Sequence, residues 1–280
     1  MRRLLLFGPI LFCGLACERP RVSEASPLQI ADKPVPPDNA SNGPRYAIRG
    51  QVTWKGELPS APELPAVFGK IAKLGPNINA YFPVIDAETK GLANVVVHVK
   101  LGEDFKPVPP KRNLKLRGES NRLYFGESKA TIAATTVGSE VEIESGSEKP
   151  ALIRARGASF YTLTFPTAET AHKRPFEKPG IVDFANGNGE YFATCRAYVF
   201  DHPWFAITDG KGRFEIADVP LGNHELIAEI ADYRLQKYER DPDTQILMRI
   251  YYKEPLKKVE KISVNRAQDI PFEVRESDFK

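Results

Sequence analysis

The chain has 280 residues, enough for one or two domains that each bury a core of their own. Its 39 basic and 36 acidic residues give a net charge of +3, far from the strongly basic balance that nucleic-acid binding favours. We therefore expect no nucleic acid among its partners. The 24 prolines and 20 glycines, together with 26 Tyr and Phe residues, are typical of a turn-rich all-β protein.

Residues 1–17 have the pattern of an export signal, because Arg2 and Arg3 precede the apolar run 4–12. That run is too short to span a bilayer as a helix. The tetrapeptide at 14–17, Gly-Leu-Ala-Cys, resembles the lipobox of bacterial lipoproteins, although glycine stands where leucine is usual. The resemblance implies that Cys17 carries a lipid and anchors the protein in the membrane of the cell envelope, facing the periplasm or the exterior. The alternative is an ordinary secretory signal that is cut nearby.

Residues 18–44 are rich in Pro, Ser, Asn and Asp and predict a disordered tether between the membrane and the folded part. If Cys17 is lipidated and Cys13 is removed with the signal, Cys195 is the only remaining thiol. An intrachain disulfide or a cysteine-based zinc site is then impossible.

The rest of the chain predicts β-strands separated by turns, with almost no helical period. One short helix is predicted near residues 67–74, and a polar loop is predicted to run from residue 166 to 178. The turns predicted at 209–212 and 219–222 would connect three consecutive antiparallel strands. The predicted strands are 46–54, 92–99, 114–117, 122–125, 131–136, 141–144, 159–165, 181–184, 191–194, 197–200, 205–208, 213–216, 224–230, 245–252, 260–264 and 270–274.

Two separated parts of the chain resemble one known domain, the carboxypeptidase regulatory-like (transthyretin-like) sandwich. A first strand at 48–52 and a second at 93–97 are followed by the family pattern T-D-x-x-G-x-F-x-I-x-x-[VL]-P-x-G-x-x-x-L. The residues that match this pattern are Thr208, Asp209, Gly212, Phe214, Ile216, Val219, Pro220, Gly222 and Leu226. The resemblance implies a discontinuous domain made of residues 46–102 and 196–280.

The intervening residues 103–195 resemble a cupredoxin-like β lobe at 136–143, at 175–180 and at the approach to Ala197-Tyr198-Val199. The predicted fold class is therefore all-β, an Ig/transthyretin-like β-sandwich with an inserted or adjoining cupredoxin-like β-sandwich. The copper ligands of that family do not carry over, because residues 144–151 contain no histidine and Cys195 is followed by no histidine or methionine at the family's spacing. Cys195, His172 and His202 remain weak candidates that could act as metal ligands only after rearrangement, and we expect no cofactor.

The other candidate residues have sequence contexts that predict structural roles and not catalytic or metal-binding ones. His98 is predicted to pack at a sheet edge, His202 to pack on Trp204, and His224 to be exposed; no two histidines have metal-ligand spacing. Glu140, Glu142 and Glu144 predict one solvated strand face, and Asp209 and Asp218 predict turns. Neither a nucleophile elbow nor a phosphate-binding loop is present.

Adjacent aromatic pairs are the feature most compatible with ligand binding, because neighbours on a strand point to opposite faces of a sheet. Possible binding residues are Trp204, Tyr81, Tyr124 and Tyr161, although core packing is the simpler interpretation. We predict a non-enzymatic envelope lipoprotein that acts as a binding or scaffold module for a protein or carbohydrate partner. The alternatives are a copper-binding or electron-transfer protein and an accessory domain of a polysaccharide-degrading system.

Overall fold

The computed structural model describes residues 43–66, 71–72, 79–101, 107–119, 122–147, 150–167, 170–187 and 192–279. These residues form β-strands, apart from turns, irregular connections and one turn of 3-10 helix at Glu276–Asp278, which confirms the all-β prediction. No helix in the described part has the length and apolarity needed to cross a membrane. The predicted signal at 1–17, the lipidation at Cys17 and nearly all of the tether lie outside the described residues.

The strands are numbered in chain order. They are β1 (Arg45–Trp54), β2 (Leu64–Pro65), β3 (Ile71–Ala72), β4 (Val96–Lys100), β5 (Leu114–Glu119), β6 (Arg122–Phe125), β7 (Ile132–Thr136), β8 (Glu140–Ser145), β9 (Ala151–Gly157), β10 (Tyr161–Phe165), β11 (Ala171–Pro175), β12 (Gly180–Asn186), β13 (Thr194–Phe200), β14 (Phe205–Ile207), β15 (Arg213–Pro220), β16 (Gly222–Ile230), β17 (Leu235–Arg240), β18 (Leu247–Tyr252), β19 (Leu256–Val264), β20 (Gln268–Asp269) and β21 (Phe272–Val274).

The first sandwich is built from both ends of the described chain. One of its sheets has the order β15-β1-β20, with β21 also paired to β1, and the other has the order β14-β4-β16-β19. Alternate residues of β1 and β15 turn inward, as expected for strands with one buried face. The core between the sheets contains Ile48, Val52, Trp54, Leu92, Val97, Val99, Phe214, Ile216, Val219, Leu226, Ala228, Val264, Phe272 and Val274.

The second sandwich is continuous in sequence and runs from β5 to β13. Its sheets have the orders β10-β9-β12-β13-β7 and β11-β8-β5-β6. Each sheet includes one parallel pair, β7 with β13 and β5 with β8. The core contains Leu116, Phe125, Val141, Ile143, Ile153, Leu163, Phe165, Phe176, Val182, Phe184, Cys195, Ala197 and Val199.

The second sandwich is inserted into one sheet of the first. The chain leaves that sheet at the end of β4 and returns at β14, and these two strands are hydrogen-bonded neighbours. The predicted boundary lies between residues 195 and 196, whereas β13 continues the second sandwich to Phe200. In the apolar run at 197–200, Ala197 and Val199 lie in the second core, and Tyr198 and Phe200 lie on the outer face of the sheet.

The turn at Asp209–Gly212 does not connect a hairpin, contrary to the prediction. It carries the chain from β14 in one sheet of the first sandwich to β15 in the other, where β15 pairs with β1. The turn at 219–222 likewise crosses back between the sheets, because β16 pairs with β4 and β19. Turn residues specify a reversal of the chain, but they do not specify whether the next strand stays in the same sheet.

The two sandwiches share a third buried cluster. Val97 and Val99 of β4 face the first core, so Val96 and His98 point toward the second sandwich. On the facing strand β13, Tyr198 points back toward them. This interface contains Tyr81, Val96, Ile132, Tyr198, Ala231 and Tyr233, with Phe82, Ala134, Phe200, Ile207 and Tyr252 at its margin.

Candidate functional site

A groove with a volume of about 2070 Å³ lies between the two sandwiches. Its walls include residues of β6, β7, β14 and β15, each of which is the terminal strand of its own sheet. Other parts of the walls come from Asn79, Ala80, residues 82–84, Pro110 and residues 112–115. We call this cavity the intersandwich groove, and its size and concave shape make it a candidate ligand site.

The aromatic residues in the walls are mostly buried, which corrects part of the predicted binding surface. Trp204 is 3% exposed, and its indole Nε1 donates to the carbonyl of Asp218 at 2.7 Å. Tyr124 is 6% exposed, and its hydroxyl donates to Glu119. Both rings therefore support the groove from behind and do not offer a free face to a sugar.

The other two predicted binding residues lie outside the groove. Tyr81 is buried in the interface between the sandwiches. Tyr161 is half-buried on β10, near the guanidinium of Arg174, and burial raises the pKa of its hydroxyl. Among the described residues, the large hydrophobic side chain with the greatest exposure is instead Phe160, at 82%.

Arg112 is the cation that the groove holds most firmly. Its backbone is fixed against β7 and the turn that follows it, because its carbonyl accepts from the Thr135 hydroxyl and its amide donates to Ser139 Oγ at 2.8 Å. Its guanidinium carbon lies 4.6 Å from the centre of the Phe205 ring, a cation–π contact. No acidic side chain of the described residues pairs with it, and burial lowers its pKa.

The groove is lined by more basic than acidic residues, and only some of these residues form ion pairs. Seven basic and four acidic residues line it. Two of the carboxylates are neutralised locally: Asp209 by Arg213 at 2.7 Å, and Glu215 by Arg49 at 2.9 Å. Exposed Lys115 and Arg122 have no ion-pair partner in the part of the chain that the structure describes. The groove therefore presents positive charge beside an apolar wall.

A second polar cluster is buried deeper in the interface. The guanidinium of Arg196 donates two hydrogen bonds to Asp183, at 2.7 and 3.1 Å, and lies 4.9 Å from the centre of the Tyr81 ring. The Tyr81 hydroxyl donates to Asp183 at 3.2 Å and lies 3.3 Å from the Thr194 hydroxyl. Burial raises the pKa of Tyr81 well above its usual value. These contacts hold an arginine in an apolar interface by neutralising it.

Beside this cluster, two histidines and a glutamate meet. His98 Nε2 lies 3.2 Å from Glu229 Oε1, and the rings of His98 and His202 stack at 6.0 Å. Burial raises the pKa of Glu229, but hydrogen bonds from His98 and Lys257 outweigh it, so the net shift is downward. Burial and the neighbouring His98 lower the pKa of His202 to about 4.

The three weak metal candidates occupy separate environments. Cys195 is fully buried in the core of the second sandwich, and burial raises the pKa of its thiol well above the usual value. His172 lies on β11, where its ring packs edge-on against Phe165 at 5.0 Å. His202 lies in the interface. No three His, Cys, Asp or Glu side chains of the described residues form a group that could hold a metal ion.

Three histidines differ from their predicted positions. His172 lies on β11, within the segment predicted to be a polar loop. His98 lies on β4, a central strand, and is paired with Glu229. His224, predicted to be exposed, is 6% exposed, because its Nε2 lies 2.9 Å from the carbonyl of Pro220 at the preceding turn. Sequence reasoning also missed Arg112 and Arg196. The signal for Arg196 was a lone cation within an apolar strand, whereas Arg112 follows a proline-rich segment that gives no indication of its neighbours.

No family model matches this sequence, and no curated protein matches it. Several solved structures of copper proteins are similar to part of the chain. Amicyanin from Paracoccus versutus is 15% identical, with a TM-score of 0.26, over 38% of this chain and 98% of its own. A purple cupredoxin from Nitrosopumilus maritimus is 10% identical, with a TM-score of 0.25, over 31% of this chain and 97% of its own.

A copper-containing nitrite reductase from Thermus scotoductus is 13% identical, with a TM-score of 0.27, over 36% of this chain and 25% of its own. Similarity at this level does not transfer copper chemistry to this chain. The sheet orders given above define the fold as two β-sandwiches.

Proposed function

We propose that this protein is a non-enzymatic binding module of the cell envelope, anchored by a lipid on Cys17, and that its ligand occupies the intersandwich groove. The groove itself is the observation that carries the proposal. It combines a volume of about 2070 Å³ with a largely apolar wall and a few fixed polar groups, which is the usual composition of a ligand site. Its described lining contains no histidine, which is the side chain that most often acts as a general acid or base.

We propose further that the first sandwich is a carboxypeptidase regulatory-like domain. The matching residues have structural roles that support this assignment. The Thr208 hydroxyl donates to the carbonyl of Leu92 and accepts from the amide of Val95, which joins the turn to the segment that leads into β4. The Asp209 carboxylate accepts from the amides of Lys211 and Arg213 and closes the turn.

Lipid anchoring is tested by replacing Cys17, the proposed lipid acceptor. In a bacterial host, the wild-type chain should incorporate labelled palmitate and sediment with membranes. Cys17→Ser should lose both properties, whereas Cys195→Ser serves as the thiol control and should keep them. If Cys17→Ser still incorporates palmitate, Cys17 is not the lipidated residue.

Ligand binding in the groove is tested by filling it. Val84 lines the groove and is 54% exposed, so Val84→Trp adds bulk there without replacing a core residue. We expect at least one probe among polygalacturonate, a neutral β-glucan oligosaccharide and an acidic octapeptide to raise the melting temperature of the wild type and not of Val84→Trp. Val259→Trp, on the distant strand β19 and 50% exposed, is the matched control and should respond as the wild type does. Failure of every probe, or equal responses in the two variants, would exclude the groove as the binding site.

A further inference from the structure

Each of the four large sheets places one edge strand in the wall of the intersandwich groove. Strands β6, β7, β14 and β15 each end a sheet, and all four line the groove. An edge strand has one row of backbone groups without a partner, which is a template for pairing with another strand. The outer edge of β6 is partly closed, because the backbones of Phe125 and Ala130 bond to each other, and the Asp218 carbonyl of β15 accepts from Trp204. The backbone groups that the intersandwich groove offers are therefore sought on β7 and β14.

The hydrogen bonds of β7 and β14 show which groups are available. The ladder between β7 and β13 uses the Thr131 carbonyl and the Val137 amide, so the backbone groups of Ile132 and Ala134 point away from β13. In the same way, the Trp204 carbonyl accepts from the Val99 amide of β4 and the Thr208 amide donates to the Val95 carbonyl just before β4, so the backbone of Ile207 points outward. None of these outward groups has a hydrogen-bond partner within the described ranges.

The charge of the groove favours an acidic occupant. The guanidinium of Arg112 is half-buried against Phe205 without a carboxylate partner, which is costly unless solvent or an anion satisfies it. Lys115 and Arg122 add exposed positive charge on the same side of the second sandwich. Arginine is well suited to this role, because its planar guanidinium can bind a carboxylate through two parallel hydrogen bonds.

We propose that the intersandwich groove binds an extended, acidic polypeptide segment, which pairs as an added strand with an open sheet edge and places a carboxylate on Arg112. Side chains of a strand alternate between its two faces, so acidic residues at every second position would all face the same row of cations. This inference rests on the proposed function, because it names the ligand class of the same groove. A polyuronate would satisfy Arg112 but would not use the outward backbone groups.

The test measures the binding of a fluorescein-labelled octapeptide with four Glu-Val repeats to the purified full-length chain in detergent. We expect this peptide to bind, and its Lys-Val counterpart not to bind. Methylation of alternate backbone nitrogens keeps the charge and removes the donors that strand pairing needs, so it should weaken binding by about tenfold or more. Arg112→Gln should also weaken binding by about tenfold, because it removes the charge-assisted bonds.

Arg266→Gln is the matched control, since Arg266 is exposed and lies outside the groove; it should bind as the wild type does. If Arg112→Gln is poorly folded, Lys115→Gln with Arg122→Gln replaces exposed side chains and should weaken binding through charge alone. Equal binding of the methylated and unmethylated peptides would overturn the inference. Binding of polygalacturonate but of neither peptide would overturn it too, while leaving the proposed function intact.

Discussion

At the residue scale, His202 is a histidine held in its neutral form. Its ring lies between those of His98 and Trp204, with centroids 6.0 and 6.1 Å away. Its pKa of about 4 in the folded protein is below the ordinary value of 6.5. The contribution of His202 to stability is therefore complete above pH 6.5 and is lost as the pH falls toward 4.

Because His202 is protonated more readily in the unfolded chain, we expect it to lower the free energy of unfolding by up to about 3 kcal/mol as the pH falls from 6.5 toward 4. Urea unfolding at pH 7.5 and at pH 4.5 measures the effect. His202→Gln should lose less stability on acidification than the wild type. His172→Gln, on the outer strand β11, controls for the removal of a histidine, and an unchanged pH dependence in His202→Gln would contradict the assignment.

At the element scale, the turn between β14 and β15 depends on one glycine. Gly212 has φ of +76°, and a Cβ on it would lie 2.3 Å from the carbonyl oxygen of Val52. Gly210, in the same turn, has no atom within 4 Å of its Cβ position. Position 212 therefore requires glycine, because of its backbone conformation and because a Cβ has no space there, whereas position 210 does not.

We expect Gly212→Ala to lower the free energy of unfolding by about 2 kcal/mol or more, because the strand β1 must move away. Gly210→Ala should change it by less than about 1 kcal/mol, and in the stabilising direction if the turn keeps its shape. Chemical denaturation of both variants gives the comparison. Equal losses in the two would mean that the turn, and not the contact with Val52, limits stability.

Strands with an alternating or continuous apolar pattern were predictable from sequence, as β1, β4 and β13 show. Strand β11 was not, because Ala171–Pro175 has no large apolar residue and is held mainly by its ladder with β8. Strand β9 was missed as well, since arginines occupy its alternate half-exposed positions. The groove could not be predicted, because its edge strands come from two separate parts of the chain, β6 and β7 from one and β14 and β15 from the other.

At the scale of the whole molecule, we expect the interface to make the two sandwiches unfold as one cooperative unit. Ile132, which is 4% exposed, lies in that interface on the edge strand β7. We expect the wild type to unfold in a single calorimetric transition. Ile132→Asp buries an unpaired carboxylate there, and it should lower stability by about 3 kcal/mol and split the transition in two.

Val259→Asp makes a matched change on the exposed side of β19 and should keep one transition close to that of the wild type. Two transitions in the wild type would show that the sandwiches unfold independently. In that case the intersandwich groove could also change width without unfolding of either sandwich.

The insertion also limits the order in which strands can pair while the chain is synthesised, N-terminus first. Every ladder partner of β1, namely β15, β20 and β21, follows the insertion in sequence, and so do both partners of β4. The inserted sandwich, by contrast, has all its strands once residue 200 has emerged. Strands β1 and β4 are thus made long before their partners, so the growing chain must keep them from pairing with other molecules until the residues after the insertion have been made.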